Sequence, residues 1–196
     1  METLLRLSRD LFDFTTFDAE MHQPAIDRIR PAERLRRAAQ EYTARAEAAG
    51  LDFELLHDVP EEMEILSDSV RIRQILDNLV GNAIKYTDMG GVLLNVRMRQ
   101  GERRATLEIT VSDTGRGIAR DDVEALFMPF RRASGAAERE PGLGLGLWLS
   151  REAARRMGGE LRLLRTEPGK GSAFEVAIPV EIGAGRLFFA GQFQKR

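Results

Sequence analysis

Residues 71–87 read RIRQILDNLVGNAIKYT. Ile72, Ile75, Leu76, Leu79, Val80, Ala83 and Ile84 recur at helical spacing, which predicts a helix from Asp68 to about Tyr86 with Ser67 or Asp68 as its cap. Within it Arg71, Gln74, Asn78, Asn82 and Lys85 fall three or four apart and share one polar stripe flanked by aliphatic residues. Asn is a poor choice inside a helix, because its side chain competes for backbone hydrogen bonds. Two of them at i and i+4, followed by Lys, are costly as filler. Amide oxygens suit a hard cation such as Mg²⁺, which prefers oxygen ligands and keeps water and phosphate in its shell. The Lys ammonium then faces phosphate as a compact point charge. On spacing alone the stripe also fits a solvated helix face.

Downstream, Val92–Arg99 and Ala105–Ser112 alternate apolar and polar residues, with Leu107, Ile109 and Val111 on one face. They predict an antiparallel pair with one wet face. The second strand runs into Asp113-Thr114-Gly115-Arg116-Gly117-Ile118. Glycines two apart after a strand let backbone approach a flat ligand without Cβ interference, and a carboxylate there can accept from an exocyclic amine such as adenine carries. The same residues also fit a tight turn capped by Asp. Then comes Gly142-Leu143-Gly144-Leu145-Gly146-Leu147, opening a helix predicted over Leu147–Met157. Glycine-rich backbone at a helix start is a natural anion site. It is neither a dinucleotide fingerprint, since Leu149 stands three after Gly146, nor a P-loop, since no Gly-Lys-Ser/Thr follows.

Upstream, Pro31–Ala49 is rich in helix formers, opens on Pro and ends at Gly50, and Leu51–Leu56 reads as a half-buried strand followed by a short one at Met63–Leu66. Leu161–Arg165 and Ala173–Val180 read as two further strands around Pro168-Gly169-Lys170-Gly171. The 196 residues suit one domain with an appendage, and their 29 basic and 31 acidic residues nearly cancel. That balance gives no reason to expect nucleic acid as a partner. With no Cys and only His22 and His57, thiolate metal sites, Cys nucleophiles and a Ser/His/Asp triad are excluded or disfavoured. Charges interrupt every apolar run short of a membrane span, and no signal-peptide core follows Met1. The expectation is a cytoplasmic chain without membrane contact of its own.

In this order the motifs resemble the ATP-binding catalytic domain of bacterial sensor histidine kinases, a branch of the GHKL ATPase/kinase superfamily. The similarity covers about residues 51–180: an "N box" at 71–87, a "G1 box" at 113–118, an "F box" LFMPFRR at 126–132, a "G2 box" at 142–147, and GKGSAF at 169–174. The fold it implies is an α/β two-layer sandwich, a mixed and mostly antiparallel sheet with helices on one face. The cofactors it implies are ATP and Mg²⁺. By resemblance Asn82 would hold the Mg²⁺, Asn78 would place the triphosphate, Lys85 would contact phosphate and Tyr86 would pack near the nucleotide. Asp113 would take the adenine amine, with Gly115, Gly117 and Ile118 shaping the base pocket and Ser172 nearby. Arg131 would face phosphate, Phe127 and Phe130 would anchor a lid formed by Arg132–Pro141, and Gly142, Leu143, Gly144, Leu145, Gly146 and Leu147 would supply its hinge and phosphate-facing backbone. In gyrase-like and chaperone members the position of Asn78 is a Glu that activates water; an Asn cannot act as a base, which favours phosphoryl transfer to a protein nucleophile.

The acceptor histidine of the family lies in a dimerisation domain N-terminal to this one. His22-Gln23-Pro24 lacks the motif's acid and spacing, and His57 falls at a predicted strand end. Residues 4–20 are similar to the end of that domain's second helix, so residues 1–23 are expected to be its remnant, 24–182 the catalytic domain and 183–196 a tail or linker. The expected partners are the dimerisation/phosphoacceptor domain of the same kinase and a response regulator, with homodimerisation only in the full-length protein. Two rival readings are a degenerate kinase domain that regulates by docking, and a Ser/Thr kinase of the anti-sigma type.

Overall fold

The computed structural model describes residues 25–100, 104–131 and 143–183. The expectations for residues 1–23, for the tail beyond Gly183, and for Gly142 and the Arg132–Pro141 segment lie outside the described residues.

Alternation builds the sheet. Leu94 and Val96 on β4 (Gly91–Gln100), Leu107, Ile109 and Val111 on β5 (Ala105–Asp113), and Val176 and Ile178 on β7 (Gly171–Ile182) all point inward and are buried. The register sets Val96 beside Ile109 and Ile109 beside Val176, so one continuous apolar face results. The opposite face carries charge, including the pairs Arg99–Glu108 at 2.8 Å and Arg162–Glu175 at 2.7 Å. It is the wet face that the alternation predicts.

The strand order is β1-β3-β7-β5-β4-β2, with β6 (Glu160–Glu167) beside the first half of β7. β1 spans Asp27–Ile29, β2 Asp52–His57 and β3 Ile65–Ser67. Every pairing is antiparallel except β2 with β4, so the sheet is mixed and mostly antiparallel as expected. His57 ends the edge strand β2 beside Val96, at a strand end as expected.

Three helices cover the apolar face: α1 (Pro31–Ala48), α2 (Ser69–Lys85) and α4 (Gly146–Arg156); α3 (Arg120–Val123) is a single turn after β5. Pro31 opens α1 at a position where a missing N–H costs nothing. Leu35, Ala38, Tyr42 and Ala46 form its buried stripe, and Tyr42 stacks obliquely on Phe53 at 5.8 Å. The Tyr42 hydroxyl donates to Asp77 Oδ1 on α2 at 2.7 Å, and Arg73 grips the same carboxylate with its Nε at 2.9 Å while also pairing with Glu41. This cluster locks α1 against α2, and burial together with the bond to Asp77 raises the Tyr42 hydroxyl far above its usual range.

Candidate functional site

Asp68 starts α2. Its Oδ1 accepts the backbone N–H of Arg71 at 2.9 Å, and its Oδ2 accepts that of Ala25 at 3.1 Å, which ties the incoming chain to the helix start. With Ile72, Ile75, Leu76, Leu79, Val80 and Ala83 buried against the sheet and α4, the stripe of Asn78, Asn82 and Lys85 is left half-buried along the helix flank.

At Asn78 that flank is a contact and not a solvated face. Asn78 donates through Nδ2 to Ser150 Oγ on α4 at 2.7 Å, and Ser150 is 1% exposed. One turn earlier, a Cβ at Gly146 would lie 2.9 Å from Asn78 Cγ and 3.1 Å from its Nδ2, and closer still to its Oδ1. So α4 meets α2 through bare backbone at Gly146, and the Asn78 amide fills the space a side chain would take. The helix stripe and the glycine-rich turn, 60-odd positions apart in the chain, therefore form one site.

At the end of β5, Asp113 Oδ1 accepts the N–H groups of Gly115 at 2.9 Å and Ser172 at 3.2 Å. Among the described residues no donor reaches its Oδ2. Burial pushes the Asp113 carboxyl above its usual range, with those two N–H bonds and the Arg165 charge pulling the other way. Gly117 has φ +65, and a Cβ there would sit 2.6 Å from the Glu167 carbonyl carbon. Gly115 is buried against Tyr86 in the same manner. The glycines expected to make room for a flat ligand thus make room first for neighbouring backbone, which brings the loop flush against β6 and the end of α2. Ile118 N–H donates to Thr166 Oγ1 at 2.9 Å, and Thr166 Oγ1 lies 2.9 Å from Ser172 Oγ.

Tyr86 closes α2 with Lys85 Nζ 5.0 Å and Arg116 Cζ 4.6 Å from its ring centroid, so two cations lie against the ring. Phe127 packs edge-on to Phe174 at 6.4 Å and lies under the Arg151 guanidinium, whose Nη2 donates to the Phe127 carbonyl at 3.0 Å. Phe130 is 54% exposed with φ +61. Arg131 is exposed, and a Cβ at Gly144 would lie 3.0 Å from its carbonyl carbon, so Gly144 sits directly against Arg131 backbone. Leu145 is fully buried, Leu147 packs on the core, and Leu143 is half-buried. Ser150, Thr166, Arg116 and Arg151 were not singled out from the sequence. Only Ser150 carried a usable signal, its place one helical turn after Gly146.

A polar helix stripe, a half-buried strand-end carboxylate and a glycine turn opening α4 are linked through α2, which Gly146 meets at Asn78 and Gly115 meets at Tyr86. Residues 67–182 match the family model described as "Histidine kinase-, DNA gyrase B-, and HSP90-like ATPase". The chain belongs to that family.

Among relatives of this ATPase domain, the virulence sensor protein BvgS of Bordetella bronchiseptica is 37% identical over 90% of the chain and 14% of its own length. The autoinducer 2 sensor kinase/phosphatase LuxQ of Vibrio cholerae is 31% identical over 92% of the chain and 21% of its own. The chain thus spans about a seventh to a fifth of these relatives. The solved structure of full-length ShkA in complex with AMPPNP superposes with a TM-score of 0.78 at 30% identity, covering 93% of this chain and 37% of that one. The Acinetobacter baumannii histidine kinase AdeS shares the fold, with a TM-score of 0.66 at 24% identity over 90% of this chain and 78% of that one. Both the sheet and the helix layer are therefore those of sensor histidine kinase ATPase domains, and ATP is the ligand that family membership carries. Among the described residues no helix is long and apolar enough to cross a membrane.

Proposed function

We propose that the domain binds Mg-ATP and delivers its γ-phosphoryl to a histidine on a dimerisation domain, for passage to an aspartate on a response regulator. The observation that carries this reading is the state of Asn78. Its amide is held by Ser150 and backed by Gly146, so the place where a hydrolytic member of the family needs a carboxylate base holds a neutral, fixed amide. Phosphoryl transfer asks for positioning and charge neutralisation rather than a strong base in this domain. In the transfer, the bond from the γ-phosphorus to the ADP oxygen breaks as a phosphorus–nitrogen bond to the acceptor imidazole forms, and ADP leaves.

Asn82 supplies an amide oxygen for Mg²⁺. Among the described residues no cluster of three or more His, Cys, Asp or Glu could hold a metal, so the ion's remaining ligands would be phosphate oxygens and water, a shell that suits Mg²⁺. Lys85 and Arg131 supply positive charge for the phosphates, and Asn78 orients them. The Oδ2 of Asp113 takes the adenine amine, beside Ser172, Gly115, Gly117 and Ile118, while Tyr86 packs at the mouth.

The test is radiolabelled transfer from γ-labelled ATP to a separately supplied dimerisation domain of a close relative. Label that is lost in acid and retained in alkali identifies phosphohistidine. Acid-stable label would move the domain to the Ser/Thr kinases, and label released only as inorganic phosphate would make it a hydrolase.

A further inference from the structure

Thr166 is not part of any motif described above, yet its hydroxyl sits where three segments of the base pocket meet. It accepts the N–H of Ile118 at 2.9 Å, lies 2.9 Å from Ser172 Oγ, and lies 3.4 Å from the Gly171 carbonyl. A hydroxyl has one proton and two lone pairs. An N–H can only donate, so Ile118 takes up one lone pair of Thr166. The Thr166 proton then has two acceptors to choose between, and 3.4 Å is the long edge of an O–H···O bond whereas 2.9 Å is ordinary. Distance therefore favours Ser172 Oγ over the Gly171 carbonyl as the acceptor of that proton. Ser172 is 94% buried, and its own N–H donates to Asp113 Oδ1 at 3.2 Å, which seats the residue's backbone against that carboxylate. Once Ser172 Oγ accepts from Thr166, its proton must point elsewhere.

We propose that Thr166 is a specificity-determining positioning residue: by donating to Ser172 it turns the Ser172 hydroxyl into a hydrogen-bond donor toward the base, next to the acceptor Asp113. The proposal rests on the reading of this pocket as an adenine site. An acceptor beside a donor matches the adenine edge that carries the 6-amino group and the N1 lone pair. Guanine presents the reverse, a 6-oxo acceptor and an N1–H donor, and is opposed at both positions. The chain of hydrogen bonds Ile118 N–H to Thr166 to Ser172 thus fixes a polarity that Asp113 alone would read at only one atom.

The experiment is calorimetric titration of the whole chain with ATP, 1-deaza-ATP, 7-deaza-ATP and GTP, for wild type, Thr166→Val, Thr166→Ser and Ser172→Ala. In wild type, removal of N1 should weaken binding about tenfold, the worth of one hydrogen bond in a partly buried site, and 7-deaza-ATP should bind as ATP does. Thr166→Val keeps the shape but removes the donor. It should bring ATP and 1-deaza-ATP within about twofold of each other and narrow the ATP-to-GTP ratio by a similar factor of about ten. Thr166→Ser should restore both ratios. A merely structural role would weaken all four nucleotides alike and leave the ratios unmoved, and that result overturns the proposal, as does a penalty on 7-deaza-ATP in place of 1-deaza-ATP. Should Thr166→Val fail to fold, Ser172→Ala decides: equal binding of ATP and 1-deaza-ATP supports the relay, and a persistent gap overturns it. Wild type that binds no nucleotide, or binds GTP as well as ATP, refutes the adenine site itself and is told apart by needing no variant.

Discussion

Replacement of Gly146 by alanine tests the contact that joins the two halves of the site. The added Cβ collides with the end of a single side chain, Asn78, whose Cγ would be 2.9 Å away. The amide can rotate aside, so the cost is not a backbone shift but the loss of its 2.7 Å bond to Ser150. A net hydrogen bond is worth about 1 kcal/mol, and a buried hydroxyl left without a partner costs about 1–3 kcal/mol. Against this, Gly→Ala at the first turn of a helix gains at most about 1 kcal/mol. Gly146→Ala alone should therefore destabilise the domain by about 1–2 kcal/mol and weaken ATP about tenfold, because Asn78 has moved. In an Asn78→Ala background there is nothing to displace, and the same substitution should be neutral or stabilise by up to about 1 kcal/mol. Urea unfolding of the four proteins in the double-mutant cycle should show a coupling of about 2 kcal/mol. Additivity within about 0.5 kcal/mol would refute the wedge, and so would a stabilising Gly146→Ala in the wild-type background.

The half-buried Asp113 carboxylate should show a trade-off. Burial raises the Asp113 carboxyl, so the folded state binds a proton more readily than the unfolded state, and stability contributed by this group falls as pH rises from the usual aspartate range through the raised folded value. Asp113→Asn keeps an acceptor for Gly115 and Ser172 but carries no charge. It should melt at or above the wild-type temperature at neutral pH, with the difference vanishing toward acid, while ATP binding is lost; a lower melting temperature at pH 7 would refute the burial argument. Tyr42→Phe should cost about 1 kcal/mol in urea unfolding by removing the bond to Asp77, without altering ATP affinity, since that bond joins α1 to α2 and holds none of the candidate site's side chains. Asn82→Ala should abolish the Mg²⁺-dependent part of ATP binding and leave the fold intact by circular dichroism. Unchanged Mg²⁺ dependence would remove Asn82 from the metal's ligands.

What could be read from the chain was whatever local periodicity controls. The helix over 68–86 is present as Ser69–Lys85 with Asp68 as its cap, because the apolar stripe and the cap are both encoded within one stretch. The paired strands β4 and β5 followed from alternation for the same reason. β1 was missed: three residues between Pro24 and Pro31 carry no pattern, and the strand exists only because Asp27–Ile29 meets Ile65–Ser67 far along the chain. β7 runs longer than its expected Ala173–Val180, taking in Gly171 and Ser172 at one end and Glu181 and Ile182 at the other. Pro179 is tolerated inside it because it falls between the last residue paired with β6, Ala177, and the first paired with β3, Glu181. In the site, the residue types were legible but not their partners. Asn78 was expected to place the triphosphate or to lie on a solvated face, and its amide hydrogen bonds across to Ser150, while the glycines of the 113–118 turn answer to neighbouring backbone; such contacts join positions that no window of sequence spans.

The central claim is that this site binds ATP through adenine recognition and Mg²⁺. Calorimetric titration of the chain with ATP, with and without Mg²⁺ and with GTP as the control, tests it most directly. The account predicts saturable one-to-one binding of ATP that strengthens with Mg²⁺, with GTP bound far more weakly. Absence of ATP binding, or equal binding of GTP, would contradict it and bring forward a domain that regulates its partner by docking alone.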